Sequence, residues 1–192
     1  MAEIRDRLWL WGHEAGSHNG ICNVPGTSRM TPAEAAYYLS IPNLIMVVFA
    51  DRPQPPFDQY ALSLSPLRRV VWSIVGDSSS RRNDQSSDLE EVIRLAGRFP
   101  NITGAFMDDF FHAPDAQGRI SRYSVADLEH FRTRLHGAAR PLDLWVTLYT
   151  HDLEFPVAPY LEACDVITFW TWWADRLPEL EANMARLEAV AP

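Results

Sequence analysis

Six short apolar runs, each followed by a stretch carrying helix-start signals, constrain this chain more than any other feature. The runs are RLWLWG (7–12), LIMVVFA (44–50), RRVVWSIV (68–75), ITGAFMD (102–108), LDLWVTLY (142–149) and DVITFWTW (165–172). Most are near-continuous in Val, Ile, Leu and aromatics. That pattern belongs to strands buried on both faces, as in a parallel sheet covered by helices. Between them, TPAE (31–34) supplies Thr31 as N-cap, Pro32 in the first turn and Glu34 at the third helical position, a capping box. SSDLEEVIRLAGRF predicts a helix starting at Ser86 or Ser87, with Leu89, Val92, Ile93, Leu95 and Ala96 on its apolar face. SVADLEHFRTRLHG runs from a Ser124 cap to a Gly137 stop. PVAPYLEAC predicts a short helix and DRLPELEANMARLEAV an amphipathic one, while the Pro-rich residues 53–67 read as loop with one short element. Strands alternating with helices give successive βαβ units, with strand order following the chain.

A closed barrel and an open doubly wound sheet both satisfy this alternation. The reading adopted is an α/β fold of (β/α)8 TIM-barrel type, a single domain over 1–192, with only about six β/α units present. A full barrel takes about 250 residues. Six strands leave an eight-stranded barrel open, with free edges on the first and last strands. The chain is therefore expected to belong to a longer barrel, to form a homo-oligomer through those edges, or to tuck residues 53–67 into the gap.

Charge narrows the chemistry. All 17 basic residues are arginine and the net charge is −8. Without lysine there is no amine for Schiff-base catalysis and no P-loop lysine. No basic cluster exceeds two residues, which argues against nucleic acid and anionic membranes as partners. No apolar run reaches membrane-spanning length and MAEIRDRLWLW lacks a secretory core, so a cytoplasmic location is expected unless a leader was removed ahead of residue 1. No cofactor is expected. Cys22 and Cys164 have no metal-binding spacing and are read as unpaired thiols.

Polar and aromatic residues gather where the strands end, the face on which parallel α/β folds build their sites. The first strand leads into HEAGSHN, with His13, Glu14, His18 and Asn19; the second into Asp51; the third into Asp77. The fourth ends in FMDDFFH, which sets Asp108 and Asp109 in an apolar run where an unused carboxylate is costly. The fifth leads to Tyr149, His151 and Asp152, the sixth to Trp170, Trp172 and Trp173. Strand alternation places Trp9, Trp11 and His13 on one side, sends Trp145, Thr147, Tyr149 and His151 inward, and allows only one of Asp108 and Asp109 to face the cleft. Tryptophan platforms suit the C–H faces of sugar rings, with carboxyls and imidazoles for the hydroxyls. Candidate catalytic groups are Asp108, Asp109 and Glu14; candidate substrate contacts are Trp11, His13, Asp51, Tyr149, His151, Trp170 and Trp172. The histidine spacing is neither HxH nor HExxH, and no metal site is expected.

The order of strand ends, WGHE, MDDFF, LYTHD and FWTWW, resembles that of TIM-barrel glycoside hydrolases, most closely a group of uncharacterised bacterial glycosidase-like barrel proteins. The resemblance implies a (β/α)8 fold, sugar chemistry and an acid/base carboxylate at the end of strand four, the position of Asp108 or Asp109. Such families often carry a second carboxylate on strand seven, beyond the six strands found here. Within this chain, Glu14, Asp51 and Asp152 are the candidates for that second group, which would supply a nucleophile or activate water. The expectation is a protein that binds and hydrolyses a carbohydrate. The alternatives are another barrel hydrolase or isomerase, metal-dependent and using His13, Glu14, Asp109 and His151, or a sugar-binding barrel without turnover.

Overall fold

A computed structural model describes residues 4–21, 23–84 and 87–191. The six runs form strands β1 (Trp9–Gly12), β2 (Asn43–Met46), β3 (Arg69–Val75), β4 (Ile102–Met107), β5 (Asp143–Tyr149) and β6 (Val166–Trp170). They make one sheet in the order β1-β2-β3-β4-β5-β6, with every neighbouring pair parallel, as the alternation predicts. Helices α1 (Pro32–Leu39), α2 (Asp58–Leu64), α3 (Leu89–Arg98), α4 (Val125–His136), α5 (Ala158–Glu162) and α6 (Leu180–Val190) follow the strands in turn.

Two helix starts form as their sequences dictate. Thr31 and Glu34 close a capping box on α1, and Ser124 and Asp127 close one on α4, which ends at Gly137. The start of α3 differs. Its N-cap is Asp88, without a side-chain cap bond, because the Asp88 carboxylate is taken by Arg82; Ser86 lies outside the described residues. Residues 53–67 hold α2, whose Ala61 and Leu64 join the core between sheet and helices, so this segment packs on the outer layer and does not fill the barrel gap. In the last segment only 180–190 is α-helical. Residues Ala174–Glu179 form a 3-10 turn containing Pro178, which has no N–H to give.

Strand β2 stops earlier than its apolar run. Ala50 and Asp51 have φ of 50° and 62°, and Phe49 pairs back on Arg52, so the chain turns sharply after Val48. Outward residues such as Leu44, Met46, Val70, Trp72, Ile74, Leu144, Val146 and Leu148 form the larger core with the helices. Inward residues Ile45, Val47, Val71 and Phe106 form a second core with Trp9, Trp11 and Trp145. The sheet is strongly curled. β1 and β6 sit at opposite ends of the strand order, yet the Trp11 and Trp170 rings meet at 4.8 Å, and Trp9 meets Trp145 at 4.9 Å. Tryptophan bulk thus fills the concave side of a half-barrel. Gly104 makes room for it: a Cβ there would come within 3.0 Å of the Trp145 ring nitrogen and 2.9 Å of the Asp143 carbonyl. At the N-terminal end of the strands, Arg69 lies 4.7 Å over the Trp9 ring and bonds Asn43.

Candidate active site

The C-terminal ends of the strands open into a cleft of about 310 Å³ lined by Trp11, His13, His18, Phe49, Asp77, Asp108, Asp109, Tyr149, Trp170 and Trp172. Asp108 arrives there by alternation, continuing the inward positions Gly104 and Phe106 of β4. Alternation would send Asp109 to the opposite face, but its φ is +39°. That left-handed turn, tolerated by aspartate, swings the second carboxyl back, so both aspartates line the same cleft. The expectation that only one would do so is corrected by this single backbone angle.

The two carboxyls live in different surroundings. Asp108 is 5% exposed. Its Oδ1 accepts the Asp109 N–H at 2.9 Å and the Thr147 hydroxyl at 3.3 Å. Burial first, and then the adjacent Asp109 charge, push its carboxyl well above the usual carboxylate range, against the pull of those two donors. Asp109 Oδ1 accepts the Tyr149 hydroxyl at 2.6 Å and Oδ2 accepts the Ser78 N–H at 3.1 Å. Asp109 thereby bridges the ends of β3 and β5. The Tyr149 phenol is raised far above its ordinary value, by burial and then by its bond to Asp109, and it stays protonated as a donor.

Asp77 is the third carboxyl of the cleft. Burial acts to raise it, but the Ser79 and Ser80 hydroxyls and the Ala50 and Ser79 N–H groups outweigh that and hold it below the usual range. One buried carboxyl is thus biased toward the acid form and its neighbour toward the anion, the pattern by which environment separates acid from base.

The long segment after β1 completes the wall. Asn19 clasps Ser28 through both its side-chain atoms, at 2.8 and 3.1 Å. This loop brings His18 to stack on His13 and on Phe49, each at 4.4 Å between centroids. His13 Nε2 accepts the Trp11 indole N–H at 3.2 Å, which leaves the ring proton on Nδ1. Burial, then His18, lower the His13 pKa to about 4, only partly offset by Asp77, so the imidazole is neutral.

Of the ten residues singled out in the sequence, seven meet in this cleft: Asp108, Asp109, Trp11, His13, Tyr149, Trp170 and Trp172. Three sit outside it. Glu14 accepts the Tyr60 hydroxyl at 2.7 Å and lines a separate depression beside α1 and α2. Asp51 accepts the Arg82 N–H at 2.7 Å and pins one loop to another. His151 stacks on Tyr149 at 5.4 Å with its side chain 67% exposed, beyond the cleft lining. Asp152 is spent on the Tyr149 N–H, at 2.8 Å. Phe49 escaped sequence reasoning because it resembles any other core aromatic. Asp77 and His18 carry a visible signal, a polar group past a strand end, and the structure adds both to the cleft lining.

Among the described residues, no group of three His, Cys, Asp or Glu side chains is placed to hold a metal ion. Cys164 is a free thiol that burial pushes up to about 12; Cys22 lies outside the described residues. No described helix is long and apolar enough to cross a membrane. Comparison with family models, with curated proteins and with solved structures finds no match for this chain.

Proposed function

We propose that this chain is a glycoside-hydrolase-like protein of TIM-barrel type, in which Asp108 serves as general acid at a carbohydrate-binding cleft. The observation that carries the reading is the opposed bias of neighbouring carboxyls inside an aromatic cleft: a buried acid at Asp108 and a well-solvated-by-donors anion at Asp77. Glycoside cleavage needs one group to protonate the leaving oxygen and a second to attack or to activate water. Asp108 suits the first role, since desolvation biases it toward the protonated form that a general acid needs. Asp77 or Asp109 takes the second role, replacing Glu14, Asp51 and Asp152, which are engaged elsewhere. Trp170 and Trp172 offer ring faces for the sugar, and His13 offers Nδ1–H to a hydroxyl.

The test is a panel of chromogenic glycosides and oligosaccharides, followed by Asp108→Asn and Asp109→Asn on any substrate found. Hydrolysis should fall by at least about 10²-fold in Asp108→Asn, the low end of general-acid contributions. Full activity in both variants removes the acid/base role. Saturable sugar binding without turnover supports the sugar-binding alternative instead. The set His13, Glu14, Asp109 and His151, on which a metal-dependent reading would rest, is not brought together.

The open edges carry a second proposal. β1 and β6 each have one neighbour in the sheet, every residue of β6 is half-buried, and Leu177, Leu180 and Met184 in the segment that follows it are exposed. We propose that two copies pair across this side, because free strand edges and apolar patches are where chains associate.

A further inference from the structure

We infer that the ligand of this cleft carries a protonated amine, so that within the carbohydrate reading the substrate class is an amino sugar with a free, unacetylated nitrogen. This deepens the proposed function and rests on it. Three carboxyls line the cleft, yet none of the 17 arginines does. The groups that hold Asp77 are two hydroxyls and two backbone N–H groups. Those that hold Asp109 are a phenol and a backbone N–H. Donors without charge organise a carboxylate but do not neutralise it. Nearby Arg82 is turned away, onto the Asp51 carbonyl and the Asp88 carboxylate.

Asp108 adds an independent pointer. It is almost wholly buried and lines the cleft, and both donors that reach it go to Oδ1. Among the described residues no donor reaches its second oxygen, which is left for whatever enters.

The walls agree in sign. Trp11, Phe49, Tyr149, Trp170 and Trp172 present aromatic rings, whose negative faces attract cations, most strongly where water is excluded. His13, packed against His18 and Phe49 and held neutral by burial, does not oppose this. An anionic or uronic sugar would meet like charge here, and a neutral sugar would leave Asp77 and Asp109 without a counter-ion.

Isothermal titration of the unaltered protein decides the matter, with three probes: a deacetylated β-1,4-glucosamine oligomer, its fully N-acetylated counterpart of equal length, and tetramethylammonium chloride. The free-amine oligomer should bind at least tenfold tighter than the acetylated one, and its advantage should shrink as salt rises from low to physiological strength. Asp77→Asn, checked for native circular dichroism, should reduce that advantage, and the salt dependence in the unaltered protein gives the same answer without a variant. If the acetylated oligomer binds as well or better, the amine inference is wrong while the carbohydrate reading stands. If tetramethylammonium binds and neither oligomer does, the cation site stands and the carbohydrate reading falls. If no probe binds, both fall.

Discussion

Asp108→Asn should stabilise the protein increasingly as pH rises through the acidic range. The side chain keeps its shape, and the amide oxygen can still accept the Asp109 N–H and the Thr147 hydroxyl. What disappears is a titrating group. The Asp108 carboxyl is raised in the native state, by burial first and by Asp109 second. A raised carboxyl contributes stability that is fully present below its unfolded pKa and is lost as pH climbs through the native one. Between the unfolded value, about 3.9, and the native value, the folded state holds one more proton than the unfolded state. The wild-type protein therefore loses about 1.4 kcal/mol per pH unit through this residue. The asparagine variant does not, and groups that do not interact with Asp108 cancel in the difference. For a domain of this size each kcal/mol moves Tm by about 2–4 °C, so the variant should gain roughly 3–6 °C on the wild type per pH unit above 4. The assay is thermal unfolding of both proteins at half-unit pH steps. Two curves separated by a constant offset would refute the reasoning, because Asp108 would then titrate alike folded and unfolded.

Other expectations follow from single contacts. Tyr149→Phe removes the hydroxyl that Asp109 accepts at 2.6 Å, and should cost about 1–3 kcal/mol in urea unfolding together with weaker ligand binding. Gly104→Ala forces a methyl against the Trp145 ring and the Asp143 carbonyl; overpacking of about 1–3 kcal/mol should show as a lowered Tm. Trp172→Ala should weaken sugar binding by about 1–3 kcal/mol in calorimetry with little change in Tm, since that side chain is 61% exposed, whereas Trp170→Ala should lower both. Light scattering should report a dimer through the β1 and β6 edges; a stable monomer would defeat that pairing.

The fold was legible because near-continuous apolar runs and capping boxes are local signals. β4 and its neighbours had no other face to hide, and Thr31 and Ser124 could cap only the helices they precede. The inward set Trp145, Thr147 and Tyr149 followed from period-two alternation for the same reason. The site was legible only as far as that alternation ran. It set Trp11 and His13 on one side and let one of Asp108 and Asp109 face the cleft without choosing between them, whereas Asp109 reaches the cleft through a left-handed φ that no pattern of residue types announces. Glu14 and Asp51 sit at strand ends like the others, yet long-range partners, Tyr60 and Arg82, take them away. His18 enters from the far end of a loop folded by Asn19 and Ser28, nine residues apart. Such contacts are set by tertiary structure and leave no periodic trace.

If the proposed function holds, the aromatic, acid-lined cleft at the strand ends takes a sugar. Crystals soaked in a mixture of neutral and amino oligosaccharides test it most directly. A sugar ring should lie on Trp170 or Trp172, with an oxygen within hydrogen-bond reach of Asp108. A cleft holding only water, with sugar bound elsewhere or not at all, would contradict it.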